Sequence, residues 1–231
     1  MPLFEGLPLP MHLLFDLDGT LTNPYQGITA CILDALQQLG QPLPDERTLT
    51  EWIGPPLQDS FVAVLGDEAL ASEAVRLYRD RFATVGLYEN EVYEGIAAML
   101  SEVARSPHMA WVCTSKPRVF AEKIVAHFQL APFFHGVYGS ELNGDRAHKA
   151  DLIAHLLTTE GIAAKDAVMI GDRHHDINGA KHNGLRAIGV TWGFGTAHEL
   201  TQAGADGLCH APGELMGQFQ KLASLKFPGS R

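Results

Sequence analysis

Two carboxylates one residue apart, Asp16 and Asp18, stand in an otherwise apolar stretch, Phe15-Asp16-Leu17-Asp18-Gly19-Thr20-Leu21. Alternate residues leave a strand on the same side, so both carboxylates face one space, and Gly19 lets the backbone turn closely around whatever they hold. A solvated acidic turn would account for the glycine but not for the apolar residues on either side. Three other places carry residues of matching chemistry. Val112-Cys113-Thr114-Ser115-Lys116-Pro117 offers the Thr114 hydroxyl and the Ser115 N–H just before a helix that Pro117 can start, which together make an anion site. Lys149 opens a helix, where a cation is unfavourable to the macrodipole and needs a compensating charge such as a phosphate; Arg146 and His148 are the rival cations. In Met169-Ile170-Gly171-Asp172-Arg173-His174-His175-Asp176-Ile177, Asp172 ends a strand and Asp176 falls in the first turn of the following helix, where its charge is favoured. His174 and His175 invite a zinc reading. Adjacent residues point apart on a helix, however, no third soft ligand is near in sequence, and the Asp16 segment offers only oxygen ligands.

The elements that must position these groups are short apolar runs ending in Gly or Asp: His12–Phe15, Met109–Cys113, Gly136–Tyr138, Ala167–Ile170, Ala187–Val190 and Asp206–Cys209. Helical patterns alternate with them from about Val92 onward, including Val119, Phe120, Ile124, Val125 and Phe128 on one face, and Leu152, Ile153, Leu156 and Leu157 on another. Such alternation predicts an α/β fold, a Rossmann-like doubly wound parallel sheet covered on both faces. Residues from about Thr22 to Glu91 break the pattern with three apolar helical stripes, carried by Ile28–Leu39, Leu57–Leu65 and Val75–Phe82, the second preceded by the rigid Gly54-Pro55-Pro56. The expected organisation is a catalytic core of residues 1–21 and 92–231 with an inserted all-helical cap of residues 22–91. The crossings near Leu21–Thr22 and Val92–Tyr93 are candidate hinges.

The chain has 231 residues, 46% of them apolar, with 17 Lys and Arg against 27 Asp and Glu. A formal charge of −10 without a basic block argues against a nucleic-acid surface. No apolar run approaches the length of about 20 residues that spans a bilayer, and the first ten residues, MPLFEGLPLP, lack the basic start of a secretory signal. Cytoplasm is the expected location, and the proline-rich start suggests an irregular arm. Cys31, Cys113 and Cys209 are odd in number and form no CxxC, so they read as buried small apolar residues.

The Asp16–Asp18 heptad resembles the first motif of the haloacid dehalogenase superfamily, most of whose members are phosphatases. Thr114, Lys149 and the Asp172–Asp176 pair match its second, third and fourth motifs in order, each at a strand end, so the resemblance covers the whole chain. It implies that Asp16 is the nucleophile and forms an aspartyl-phosphate. It implies Mg²⁺ held by Asp16, the backbone carbonyl of Asp18, and Asp172, with Asp176 supporting the metal shell. Asp18 would be the general acid and base, and Thr114, the Ser115 N–H and Lys149 would clamp the phosphoryl oxygens. Within the superfamily, Asp18 argues against the dehalogenase branch. The absence of any Lys before Lys116 argues against the Schiff-base phosphonate-cleaving branch, and Ile28, where the sugar-phosphate mutases carry a cap histidine, makes mutase activity a minor alternative.

The overall pattern is most similar to the phosphoglycolate phosphatase group. The segments Glu51-Trp52-Ile53-Gly54-Pro55-Pro56-Leu57 and Leu87-Tyr88-Glu89-Asn90 resemble a 5′-nucleotidase-like subgroup. The expected partner is a small phosphomonoester, with no nucleic acid and no membrane, and the chain is expected to be a monomer or homodimer. Arg47, Trp52 and Arg79 are the candidate specificity residues of the cap; Arg76 and Arg81 are further cations there. A non-catalytic regulatory module that keeps the fold, and a phosphatase of phosphoproteins, are the readings from other classes.

Overall fold

A computed structural model describes residues 10–224. The arm expected over the first ten residues therefore lies, apart from Pro10, outside the described residues. Six strands form one parallel sheet: β1 (His12–Phe15), β4 (Met109–Pro117), β5 (Gly136–Ser140), β6 (Ala167–Gly171), β7 (Arg186–Val190) and β8 (Gly207–Cys209), in the spatial order β5-β4-β1-β6-β7-β8. The central strands β1, β6 and β7 are short and apolar because they are buried on both faces. In β1, Leu13 and Phe15 enter one core cluster while Leu14 enters the other, as the two-residue period of a strand requires. Helices α5 (Ile96–Ala104), α6 (Arg118–His127) and α10 (Leu215–Ser224) pack on the first face, and α7 (Lys149–Glu160) and α8 (His174–His182) on the second; α9 (Ala197–Gln202) joins β7 to β8. Strand order reverses between β1 and β6. At such a switch point the two flanking connections leave in opposite directions and open a crevice beyond the carboxyl ends of the strands.

Between β1 and α5 the chain leaves the sheet. A two-stranded antiparallel ribbon, β2 (Thr22–Asn23) with β3 (Glu91–Val92), pairs Thr22 with Val92 and Asn23 with Glu91. It encloses helices α1 (Tyr25–Gln38), α2 (Glu46–Glu51), α3 (Leu57–Leu65) and α4 (Glu68–Arg81), and α4 runs on into a π-helical turn over Phe82–Gly86. Local chemistry sets these boundaries. Asp45 caps α2 and Asp67 caps α4 by accepting the N–H of Thr48 and of Leu70, and Gly66 ends α3 in the left-handed conformation. The ribbon, too short to show a period in the sequence, lies where the two hinges were expected. Phe61, Tyr78 and Phe82 of the inserted helices share one continuous buried cluster with Phe15 and Phe120 of the sheet layer. All three cysteines are buried and free.

Candidate active site

Asp16 directly follows β1 and Asp172 directly follows β6, so the switch point brings together carboxylates more than 150 residues apart. Asp176 joins them from the first turn of α8. Ligand oxygens of Asp16, Asp172 and Asp176 lie within 4.8 Å of one another, and all three residues are buried. Asp172 is fixed by two donors, the N–H of Phe194 at 2.8 Å and the Thr20 hydroxyl at 3.3 Å. Asp176 accepts the N–H of Arg173 at 3.1 Å. Burial raises the Asp172 carboxyl well above its ordinary range, and Asp176 and Asp16 add to the shift. Asp176 is pushed up to about 6, again by burial first and despite Lys149 beside it.

Lys149, the first residue of α7, is compensated by these carboxylates. Its Nζ lies 2.7 Å from Asp176 Oδ1 and 3.0 Å from Asp16 Oδ1, and donates to the Cys113 carbonyl at 2.9 Å. Burial disfavours the ammonium, but the two aspartates outweigh it and hold the Lys149 pKa above its ordinary value. Asp18 has a cationic partner of its own. Lys116 Nζ sits 2.8 Å from Asp18 Oδ2 and 4.5 Å from the Phe82 ring centroid, a cation–π contact that reaches the inserted helices. Asp18 Oδ1 is buried without a hydrogen-bond partner, and burial raises the Asp18 pKa against the opposing pull of Lys116. Four buried carboxylates thus share two lysines. The surplus negative charge, the oxygen-only donor set and the unpartnered Asp18 oxygen fit a hard divalent cation.

Gly19 makes the close approach possible. Its φ is +82°, and a Cβ there would fall 2.2 Å from Asp172 Oδ2. Gly19→Ala is therefore expected to cost about 1–3 kcal/mol of stability in backbone strain alone. By displacing Asp172 it should also lower turnover on the order of 100-fold. Thermal unfolding together with steady-state kinetics checks both.

Thr114 and Ser115 lie within β4, three residues or more before α6 starts at Arg118. The residues expected to form an anion site at that helix N-terminus therefore lie on an irregular strand end, where the β4–β5 register shifts between Thr114 and Pro117. Both residues line a cavity together with Asp16, Asp18 and Lys116. Its remaining wall is mostly apolar: Ile28, Trp52, Val75, Tyr78, Phe82 and Phe120. Trp52 is buried edge-on against Phe61. Arg79 lines the cavity, and its Nη1 donates to the Leu142 carbonyl at 2.8 Å. Arg47 is exposed on α2 and is not part of the lining. Arg76 pairs with Glu73 and Asp80, and Arg81 with Glu89.

The histidines correct one expectation. His174 and His175 do not point apart: their ring centroids are 3.7 Å apart at the start of α8, where Glu199 holds the His174 N–H and Nδ1. Burial, with His174 and Arg173 nearby, pulls His175 down to about 4. Sequence reasoning also missed Lys116 and Arg173, whose partners come from distant segments; the placement of Lys116 two residues after Thr114 was the available signal.

A family model described as haloacid dehalogenase-like hydrolase matches residues 13–190. The chain belongs to that family, and within it to the phosphoric monoester hydrolases. It is 51% identical over 190 residues to a 5′-nucleotidase of Pseudomonas aeruginosa, across 82% of this chain and 86% of that one. A protein of Mycobacterium tuberculosis named tyrosine-protein kinase PtkA is 33% identical over 203 residues, covering 87% of this chain and 69% of its own length. The crystal structure of a protein described as a predicted phosphatase from Clostridium acetobutylicum superposes with a TM-score of 0.88 at 41% identity, over 92% of this chain and 99% of that one. More distant relatives, at 23–25% identity, are named phosphoglycolate phosphatase. Among the described residues no helix is long and apolar enough to cross a membrane.

Proposed function

We propose that the chain is a Mg²⁺-dependent phosphatase that hydrolyses a small phosphomonoester of the 5′-nucleotide type through an aspartyl-phosphate on Asp16. The convergence of Asp16, Asp172, Asp176 and Lys149 at the sheet's switch point carries the reading. Residues 1–21 and 92–231 act as the core and residues 22–91 as the cap. Asp16, the Asp18 carbonyl and Asp172 hold the Mg²⁺ and Asp176 supports them; when bound, the ion offsets the charge of the phosphoryl oxygens as a carboxylate approaches. Asp16 supplies the attacking oxygen. Lys149, the Thr114 hydroxyl and the Ser115 N–H hold the phosphoryl oxygens as charge develops on them. Asp18, whose burial favours the protonated carboxyl, gives its proton to the leaving oxygen. It then takes one from the water that cleaves the intermediate, a contribution on the order of 10²–10⁴ in rate.

The leaving-group cavity supports a nucleoside over a glycolate. Of the two cations that line it, Lys116 is paired with Asp18, whereas Arg79 keeps its charge and gives only Nη1 to a neutral carbonyl, so the preference rests on the rest of the lining. The apolar and aromatic remainder suits a base and ribose. The protein tyrosine in the name of the mycobacterial relative would have to enter beneath the Trp52–Leu57 segment, which lines this cavity. The test is phosphate release from 5′-nucleoside monophosphates, phosphoglycolate and sugar phosphates. Nucleotides are expected to lead by about tenfold or more in kcat/KM, and a chelator to abolish turnover until Mg²⁺ is restored. Preference for phosphoglycolate would reassign the leaving group, and chelator-insensitive release would reject the metal.

A further inference from the structure

Arg173, the residue after Asp172, is not used in that chemistry, yet its side chain is only 11% exposed and is tied at two points. Its Nη1 donates to the Ile53 carbonyl of the inserted segment at 2.8 Å, across 120 residues of sequence. Its Nε donates to Glu199 Oε1 at 3.0 Å. The same Glu199 oxygen accepts the His174 N–H at 2.9 Å and faces His174 Nδ1 at 2.8 Å, so the carboxylate that anchors the guanidinium is itself anchored to α8. Burial disfavours the Glu199 carboxylate, but these donors outweigh it and hold its pKa down at about 2, so it is charged under all working conditions. On the other side of the bond, Ile53 is followed by Gly54-Pro55-Pro56, a stiff strap. Gly54 has φ +109°, and a Cβ there would meet Arg173 Cγ at 3.4 Å. Trp52, Gly54, Pro55, Pro56 and Leu57 all line the leaving-group cavity.

We propose that Arg173 is a positioning residue for specificity, a latch that holds the Ile53–Leu57 strap over the cavity and ties it to the loop that carries Asp172. Its backbone N–H donates to Asp176, but its side chain is directed to Glu199 and the Ile53 carbonyl rather than to the acidic cluster. Its effect falls on how tightly the leaving group is enclosed. The planar guanidinium serves both partners at once because its Nε and Nη1 donors diverge in one rigid fork, a geometry that a lysine ammonium on a flexible stem does not reproduce. The inference rests on the phosphatase reading for its kinetic consequence, but the latch itself can be read without substrate.

Two measurements on Arg173→Ala, Arg173→Lys and Glu199→Gln test it. Hydrogen exchange of the peptide spanning residues 50–60, without substrate, is expected to accelerate about tenfold or more in Arg173→Ala, while the β1 and β6 peptides keep the wild-type rate. Steady-state hydrolysis of a 5′-nucleoside monophosphate in Mg²⁺ is expected to show KM raised about tenfold or more with kcat changed less than about threefold, the mark of lost binding rather than lost chemistry. Arg173→Lys should recover less than half of the KM effect, and Glu199→Gln should shift exchange and KM in the same direction by a smaller factor. Unchanged strap exchange in Arg173→Ala would overturn the latch. A fall in kcat at constant KM would overturn it too, by placing Arg173 in the metal site's chemistry. If the wild type released phosphate from no monoester, the phosphatase reading would fail, while accelerated strap exchange would still support the latch.

Discussion

Asp16→Asn is expected to abolish phosphate release, lowering kcat by at least about 10⁴ while the protein stays folded. The size follows from what the substitution removes. An amide is not a nucleophile toward phosphorus, and no other carboxylate follows β1 at the same height: Asp18 is turned toward Lys116, and Asp172 is fixed by Phe194 and Thr20. Nor does the amide threaten the fold, because the Asn oxygen can still accept the Leu17 N–H that Asp16 Oδ1 accepts at 2.7 Å. Kinetics and circular dichroism on the same preparation check both halves. Residual turnover within about a hundredfold of wild type, a far smaller loss than removal of a nucleophile causes, would mean that another group attacks phosphorus.

Asp172→Asn is expected to separate stability from activity. Without metal, the Asp16, Asp172 and Asp176 carboxylates are crowded and buried, and the pKa values of Asp172 and Asp176 are raised above their unfolded values. The native state therefore binds protons more tightly than the unfolded chain. The stability this gives is fully present below about pH 4, the ordinary carboxylate pKa, and is lost as pH rises through the raised values, about 6 for Asp176 and well above the ordinary carboxylate range for Asp172, where burial is the main cause. Removing one of the three charges should thus raise the melting temperature of the metal-free protein at pH 7.5 by roughly 2–6 °C, equivalent to about 1–2 kcal/mol. Asparagine keeps an acceptor for Phe194, and the Thr20 hydroxyl can reorient. The gain should shrink toward zero near pH 4, and Mg²⁺ should stabilise the wild type but not the variant, whose turnover should fall by about 10² or more. A variant that melts lower than wild type at pH 7.5 without metal would show that Asp172 contributes more through its hydrogen bonds than it costs through charge.

Part of the site could be read from the chain because two of its carboxylates sit at strand ends, where a short apolar run stops at a polar residue. Asp16 after Phe15 and Asp172 after Gly171 are marked in this way, and the parallel sheet follows from the alternation of such runs with amphipathic helices. The spatial strand order did not follow from it. It depends on which crossovers pack, and it is that order which puts Asp16 beside Asp172. Lys116 and Arg173 escaped for a related reason: each is a cation of ordinary appearance until Asp18 or the Ile53 carbonyl is brought to it across the fold. The close, mutually tilted rings of His174 and His175 do not follow the helical angles, which apply poorly at the first two residues of a helix, where Glu199 sets the orientation of His174.

The most direct test of the account is to trap its covalent intermediate. Wild-type protein mixed with Mg²⁺ and a 5′-nucleotide labelled in its phosphoryl group, quenched in acid within a turnover, should carry the label on the peptide containing Asp16. Hydroxylamine should release that label, as it does from an acyl phosphate, and Asp16→Asn should carry none. A label on any other residue, or rapid phosphate release with no labelled protein at any quench time, would contradict nucleophilic attack by Asp16.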